Sequence, residues 1–280
     1  MNPISDFRPS PIAGTWYPGN PDKLAQTVDS FLKTAKVETL KGKVLGLISP
    51  HAGHVYSGST AGYAFKTVQG KSFELVAVLS PMHQYHFAPI LTTAHSAYET
   101  PLGKIAVDRV AMDRMDMLLQ KNDLSITPVA YDKEHSLEIE LPFLQRALSG
   151  EFKLLPIMLR SQDALTAQEI GIALAEVLCD KKALLVASTD LSHFFPVDEA
   201  EILDREMLHQ IELFSPEGVL RAEETGTGSA CGAAGVAAVL WAAKALGGTH
   251  VQILHHSTSA DSTGDRSSVV GYGAAAILKE

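Results

Sequence analysis

Cysteine is scarce in this chain: Cys179 and Cys231 are the two in 280 residues, too few for the disulfide framework of a small secreted domain. Positive charge is thin as well. Lys and Arg number 23 against 32 Asp and Glu, and the formal net charge of -9 leaves no basic footprint for nucleic-acid phosphates. No apolar run is long enough to cross a bilayer; the longest, residues 231–243, is rich in Ala and Gly and reads as a buried helix. The opening residues lack the apolar stretch of a signal peptide, so a cytoplasmic location is expected. No Pro/Ser-rich linker, low-complexity block or internal repeat divides the chain, and a single domain over 1–280 is expected. The Gly-x-Ser-x-Gly elbow of α/β serine hydrolases is missing too. Gly226, Gly228 and Gly232 are spaced wrongly for a dinucleotide fingerprint and follow no strand.

What is present is the balance of a globular protein with a sizeable core: 46% apolar and 20% charged residues. Short apolar runs at 44–49, 74–79, 90–93, 105–107, 125–129, 153–159 and 183–188 read as strands. Helical patterns fall between them, at 21–34 behind an Asn20 cap, 59–68, 109–120, 136–148 and 163–178. Pro142 inside the 136–148 stretch implies a kink or a restart. Two helices are expected within 198–222 and another opened by Cys231. The chain closes with runs at 251–256 and 268–277 that have no helix between them and should pair antiparallel. The expected fold is therefore α/β, with a mixed, mostly parallel central sheet and helices on both faces. Trp16 and Tyr17 in the Pro-rich opening arm should hold that arm against the body.

Chemistry is concentrated just past the strands, where α/β proteins build their sites. His51 follows one strand after Ser49-Pro50, and His83 follows the next after Ser80-Pro81, with His86 as a substitute. Consecutive strands commonly lie close together, so the two imidazoles could converge on one ion. Cys231, among glycines at a helix start, is a third donor, a nucleophile with a dipole-lowered pKa, or a small buried residue. Asp190 and His193 follow the 183–188 strand at a spacing that lets a carboxylate orient an imidazole, or lets Asp190 cap the turn. In Glu134-His135-Ser136-Leu137-Glu138, helix capping accounts for Ser136 and Glu138, and His135 remains a supporting candidate. A cysteine hydrolase built from Cys231, His193 and Asp190 is a separate reading.

These residues bring a resemblance into view. Ala13-Gly14-Thr15-Trp16-Tyr17-Pro18, Ser49-Pro50-His51-Ala52-Gly53, Tyr56-Ser57-Gly58, Thr100-Pro101-Leu102-Gly103, Glu134-His135-Ser136-Leu137-Glu138, Leu141-Pro142-Phe143, Ser188-Thr189-Asp190-Leu191-Ser192-His193, Cys231-Gly232 and Val269-Val270-Gly271-Tyr272 occur in one order. Over almost its full length the chain resembles the MEMO family, whose prokaryotic members are labelled AmmeMemoRadiSam system protein B. The resemblance implies a fold shared with the class III extradiol (LigB-like) dioxygenases. It also implies a mononuclear iron(II) or copper centre, with zinc as the alternative, and redox or oxidoreductase activity. His51 and His83 match the histidine ligands, Cys231 stands in place of the carboxylate, and Asp190 and His193 match the acid/base and supporting positions. The family pattern departs at His54, which adds a nitrogen as ligand or gate, and at Ser80-Pro81-Met82-His83. The rival implication is a non-enzymatic protein that binds a small molecule or peptide on a retired dioxygenase scaffold. Radical-SAM and AMMECR-type proteins are the partners the resemblance suggests.

Overall fold

The computed structural model describes residues 6–280. The chain runs β1 (Phe7–Arg8), α1 (Pro21–Thr34), β2 (Lys43–Ser49), α2 (His54–Lys66), β3 (Leu75–Pro81), β4 (Ile90–Thr93), β5 (Ala97–Thr100), β6 (Gly103–Ala106), α3 (Arg109–Leu119), β7 (Ile126–Val129), α4 (Leu141–Ala147), β8 (Lys153–Leu159), α5 (Ala164–Leu178), β9 (Ala183–Ser188), β10 (His193–Phe195), α6 (Val197–Glu212), α7 (Pro216–Thr225), α8 (Ala233–Ala245), β11 (His250–Thr258), α9 (Ala260–Thr263) and β12 (Val269–Lys279). Local signals explain several boundaries. The Asn20 side chain accepts from Lys23 N–H, with Pro21 opening α1, and Asp163 and Asp108 cap α5 and α3 in the same way.

Nine strands form the main sheet, in the order β10-β12-β2-β9-β3-β8-β4-β7 with β11 on β12. Its centre, β2-β9-β3-β8, is parallel, and β12, β11, β10 and the β8–β4 contact are antiparallel, so the sheet is mixed with a parallel middle. The central strands alternate faces. Leu75, Ala77 and Leu79 of β3, with Leu185 and Ala187 of β9, join the core under α3, α5, α6, α7 and α8. Val76, Val78, Leu184 and Val186 join the opposite core under α1, α2 and α4. Burial on both faces is why these strands read as unbroken apolar runs. β11 and β12 pair antiparallel as expected, although the one-turn α9 lies between them. Among the described residues no helix is long and apolar enough to cross a membrane.

Three expectations need correction. β2 and β3 are not neighbours: β9, entering the sheet more than a hundred residues later, separates them. The helix expected at 59–68 begins at His54, because the His54 N–H is held by the Trp16 carbonyl at 2.8 Å and Gly53 serves as its cap. The helix expected at 136–148 is a 3-10 turn over Glu138–Glu140 followed by α4, with Pro142 in the first turn where a missing N–H costs nothing. Ser136 and Glu138 are therefore not caps.

The opening arm packs as its rings imply. Tyr17 is buried and its hydroxyl donates to Glu138 Oε1 at 2.7 Å. Arg8 is fully buried and pairs with Asp132 and Glu138 while donating to Glu134 O. α5 and α8 approach very closely at Gly171, where a Cβ would sit 2.7 Å from Trp241 Cβ and 2.8 Å from Ala238 O. Gly171→Ala should destabilise the fold by about 1–3 kcal/mol despite alanine's better helix propensity, read as a lower urea midpoint with unchanged m.

Candidate metal centre

The three adjacent strands β2, β9 and β3 end side by side, and each delivers a polar side chain past its last residue. From β2 comes His51, buried, with Nδ1 2.9 Å from Ser188 Oγ at the end of β9. From β9 comes Asp190, whose Oδ1 accepts the backbone N–H groups of His51 at 2.7 Å and Ala52 at 3.3 Å. Beyond β3 lies His83, with Nδ1 2.9 Å from Glu134 Oε1 and its backbone N–H donating to Glu134 Oε2 at 2.6 Å. Cys231 arrives ahead of α8. Gly232 makes room for it, since a Cβ there would lie 2.6 Å from Ser188 O. Its Sγ is 3.2 Å from His51 Nε2, and donor atoms of His51, His83 and Cys231 all lie within 4.8 Å of one another.

His86 is not part of this group. Its Nδ1 accepts from Ala88 N–H and its ring stacks on Phe87, and the half-exposed His83 is the histidine whose donor atom lies beside those of His51 and Cys231. His135 stacks on His83 with ring centroids 4.7 Å apart, and Trp16 covers His135 at 4.1 Å. A second group of possible donors, His83, Glu134 and His135, surrounds one carboxylate. Glu134 Oε1 already accepts from His135 N–H and Ser136 N–H as well as facing the His83 ring, so its role is to hold His83.

Electrostatics favour neutral donors. Burial, reinforced by the His135 and His83 rings, pushes His51 well below the ordinary histidine value, and burial takes His135 to about 4. Burial also lifts Asp190 to about 7 against its backbone hydrogen bonds. Burial alone would lift Glu134 too, but its hydrogen bonds from His83 and Ser136 carry it well below the usual carboxylate range. The Cys231 thiol is pushed up, by burial first and then by the Asp190 charge, opposite to the lowering expected from a helix dipole. Cys231 precedes the first residue of α8 by two positions, and desolvation outweighs the distant dipole.

The donor set fits a bound cation. Each imidazole has one nitrogen engaged, by Ser188 or by Glu134, and the other available, which is how proteins orient metal-binding histidines. A thiol held neutral by burial becomes a thiolate when a cation supplies the missing charge. Two imidazoles and a sulfur suit iron(II), copper or zinc rather than magnesium or calcium.

Beside the donors lies a cavity of about 630 Å³, lined in part by Trp16, Tyr56, His135, His193, Phe194 and Tyr272. His193 contributes from β10 with Nδ1 bonded to Leu191 O at 2.8 Å. Asp190 therefore does not orient His193; it braces the His51 loop, and Leu191 orients His193. Phe194 beside it takes a left-handed φ of 65°, and its exposed side chain forms part of the cavity lining.

Two other expected residues sit elsewhere. His54 is buried among Tyr17, Phe31 and Phe143, lowered to about 4 by burial, and is neither ligand nor gate. Glu138 anchors Arg8, Ser10 and Tyr17, behind the site and away from the cavity. Glu134, Ser188, Glu140 and Tyr272 were not singled out from sequence as individual site residues. Ser188, as the last residue of a strand that ends two positions before Asp190, carried the one usable signal.

A mixed α/β sheet whose parallel strand ends gather two histidines and a cysteine beside a cavity defines a class of candidate metal-binding α/β proteins. A model of the family described as "Memo-like protein" matches residues 8–276, and the chain belongs to that family. A MEMO1 family protein of Nitrosopumilus maritimus is 34% identical over 268 residues, covering 94% of this chain and 96% of that protein. Relatives in Aquifex aeolicus and Methanopyrus kandleri are 34% and 32% identical, over 93% and 94% of this chain and 95% and 96% of their own lengths. An uncharacterized protein of Escherichia coli K12 shares the fold at 14% identity, with a TM-score of 0.50 over 83% of this chain and 99% of that one.

Beneath His51, Glu140 is completely buried, and burial raises its carboxyl to about 8. The unfolded chain ionises near 4.5. Between those values the native state holds a proton that the unfolded state has lost, so stability falls as pH rises through the window. Glu140→Gln should remove this slope: in chelator-treated protein, its melting temperature relative to the parent should climb from pH 5 to pH 8.

Proposed function

We propose that this MEMO-family chain binds one iron(II) or copper ion through His51, His83 and Cys231 and acts as a dioxygenase-like oxidoreductase on a small molecule held in the adjoining cavity. The observation that carries the reading is the meeting of three donors within 4.8 Å, from segments separated by as many as 180 residues. Such an ion, held by His51, His83 and Cys231, would supply redox chemistry to the cavity beside it. The chain's own residues do the rest. Ser188 and Glu134 orient the two imidazoles, and Asp190 fixes the His51 loop. With Nδ1 tied to Leu191 O, His193 has Nε2 left to exchange a proton with a molecule in the cavity. Trp16 and Tyr56 line the cavity and offer aromatic surface to a bound molecule.

The contact between Cys231 and His51 favours one further reading, a metal-independent cysteine hydrolase. Against it, His51 rather than the expected His193 is the sulfur's partner, and burial holds the thiol protonated. Zinc with a hydrolytic role is an outcome of the same experiment, as is a non-enzymatic binding protein.

Chelator-stripped protein titrated anaerobically with iron(II), copper(I) and zinc should bind one equivalent. Cys231→Ser and His51→Ala should each weaken binding by at least about 100-fold, since a ligand is worth more than the 10–100-fold of a supporting residue. Oxygen uptake with iron loaded and a catechol supplied separates the oxidoreductase from the binding protein. Undiminished metal content in Cys231→Ser would overturn the proposal, and turnover that survives chelation would favour the hydrolase.

A further inference from the structure

The Ser188 hydroxyl stands at the junction of three groups: Ser136 O at 2.6 Å, Glu140 Oε1 at 2.8 Å and His51 Nδ1 at 2.9 Å. A serine hydroxyl brings one hydrogen to this junction. The Ser136 carbonyl can only accept, and at 2.6 Å it takes that hydrogen. Glu140 as a carboxylate could also only accept, which would set two lone pairs against each other across 2.8 Å. The count closes when Glu140 carries a proton and donates it to Ser188. Ser188 then has one lone pair left, and it receives a hydrogen from His51 Nδ1.

We infer that Glu140 and Ser188 form a buried tautomer lock, in which Glu140 stays a neutral acid and His51 is held with its hydrogen on Nδ1 and its lone pair on Nε2, facing Cys231. Both are positioning residues, and their bearing on metal binding rests on the metal-centre reading above. The surroundings support a neutral acid. Glu140 is 0% exposed, its Oε2 has no hydrogen-bond partner, and no cation pairs with it. Burial also raises its carboxyl enough to keep the proton at neutral pH.

The same network joins the supports of both histidines. Ser136, which takes the Ser188 hydrogen through its carbonyl, donates its N–H to Glu134 Oε1 and its hydroxyl to Pro81 O at the end of β3. Glu134 holds His83. A change at Glu140 would therefore reach His51 through Ser188, and His83 through Ser136 and Glu134. A purely structural acid would also keep its proton when buried, but the Ser188 link to it would have no effect on the imidazole tautomer.

Two spectra of metal-free protein at pH 7 test the lock. Infrared difference spectra between the parent and Glu140→Gln should show the carbonyl stretch of a protonated carboxylic acid in the parent alone. In protein carrying ¹⁵N-labelled histidine, His51 should show a protonated Nδ1 and an unprotonated Nε2. Ser188→Ala should convert this to a mixture of tautomers, and Glu140→Gln, whose amide still donates to Ser188, should retain the parent form. Iron(II) affinity in Ser188→Ala should fall about 10–100-fold, with thermal unfolding recorded to show that the variant is folded. An Nε2-protonated His51 in the parent, or a difference spectrum in which Glu140→Gln removes carboxylate stretches and no protonated-acid carbonyl, would overturn the inference without reference to any metal. If both spectra come out as expected and no metal binds, the lock stands and the metal-centre reading falls.

Discussion

The site depends on the insertion of β9 between β2 and β3. Backbone ladders set these strands at one spacing, with Ser49 opposite Ser188 and Leu79 opposite Ala187. Their carboxyl ends therefore stop at nearly one level, and the residues that follow have to share a small volume. Because β9 is in the middle, its terminal serine reaches His51, and its Asp190 carboxylate binds the turn after β2 through two backbone N–H groups. If β2 and β3 were direct neighbours, His51 would lose the Ser188 hydroxyl and the Asp190 carboxylate that hold its ring and its loop, while Glu134 would still hold His83.

Around that triad of strand ends the protein has arranged graded support. Glu134 retains its charge because donors surround it on both oxygens, and Asp190 and Glu140 are buried with fewer donors and drift toward neutrality. The result is a pocket floor with a neutral His51 imidazole and a protonated Cys231 thiol. An imidazole and a thiol of this kind are donors of the type that suits a soft or borderline cation. On the solvent side, Trp16 and the Arg8 ion cluster fasten the opening arm over His135, so an early segment of the chain forms one wall of the cavity.

Much of the fold could be read directly from residue patterns. Residues 153–159 and 183–188 appear as strands with the expected bounds, because strands buried on both faces leave unbroken apolar runs. The mixed sheet followed from reading the two closing strands as having no helix between them; the one-turn α9 found there leaves their antiparallel pairing intact. His51, His83 and Cys231 stood out because a Pro or Gly within two residues of each marks a sharp change of direction at the end of a strand or ahead of a helix. His54 misled for the same reason. It follows Pro50-His51-Ala52-Gly53 in sequence, but it occupies the first turn of α2, whose inward face points into an aromatic core.

Residue order alone determined which chemical groups would stand at the strand ends, since hydrophobic periodicity and turn residues act over a few positions. Three-dimensional packing decided which ends are adjacent, which nitrogen of each histidine is engaged and which carboxyls keep a proton. Those properties come from hydrogen bonds and burial between segments as far apart as Arg8 and Glu138 or His51 and Cys231. No local pattern encodes contacts at such separations; they exist once the sheet is assembled and water is excluded from its carboxyl edge.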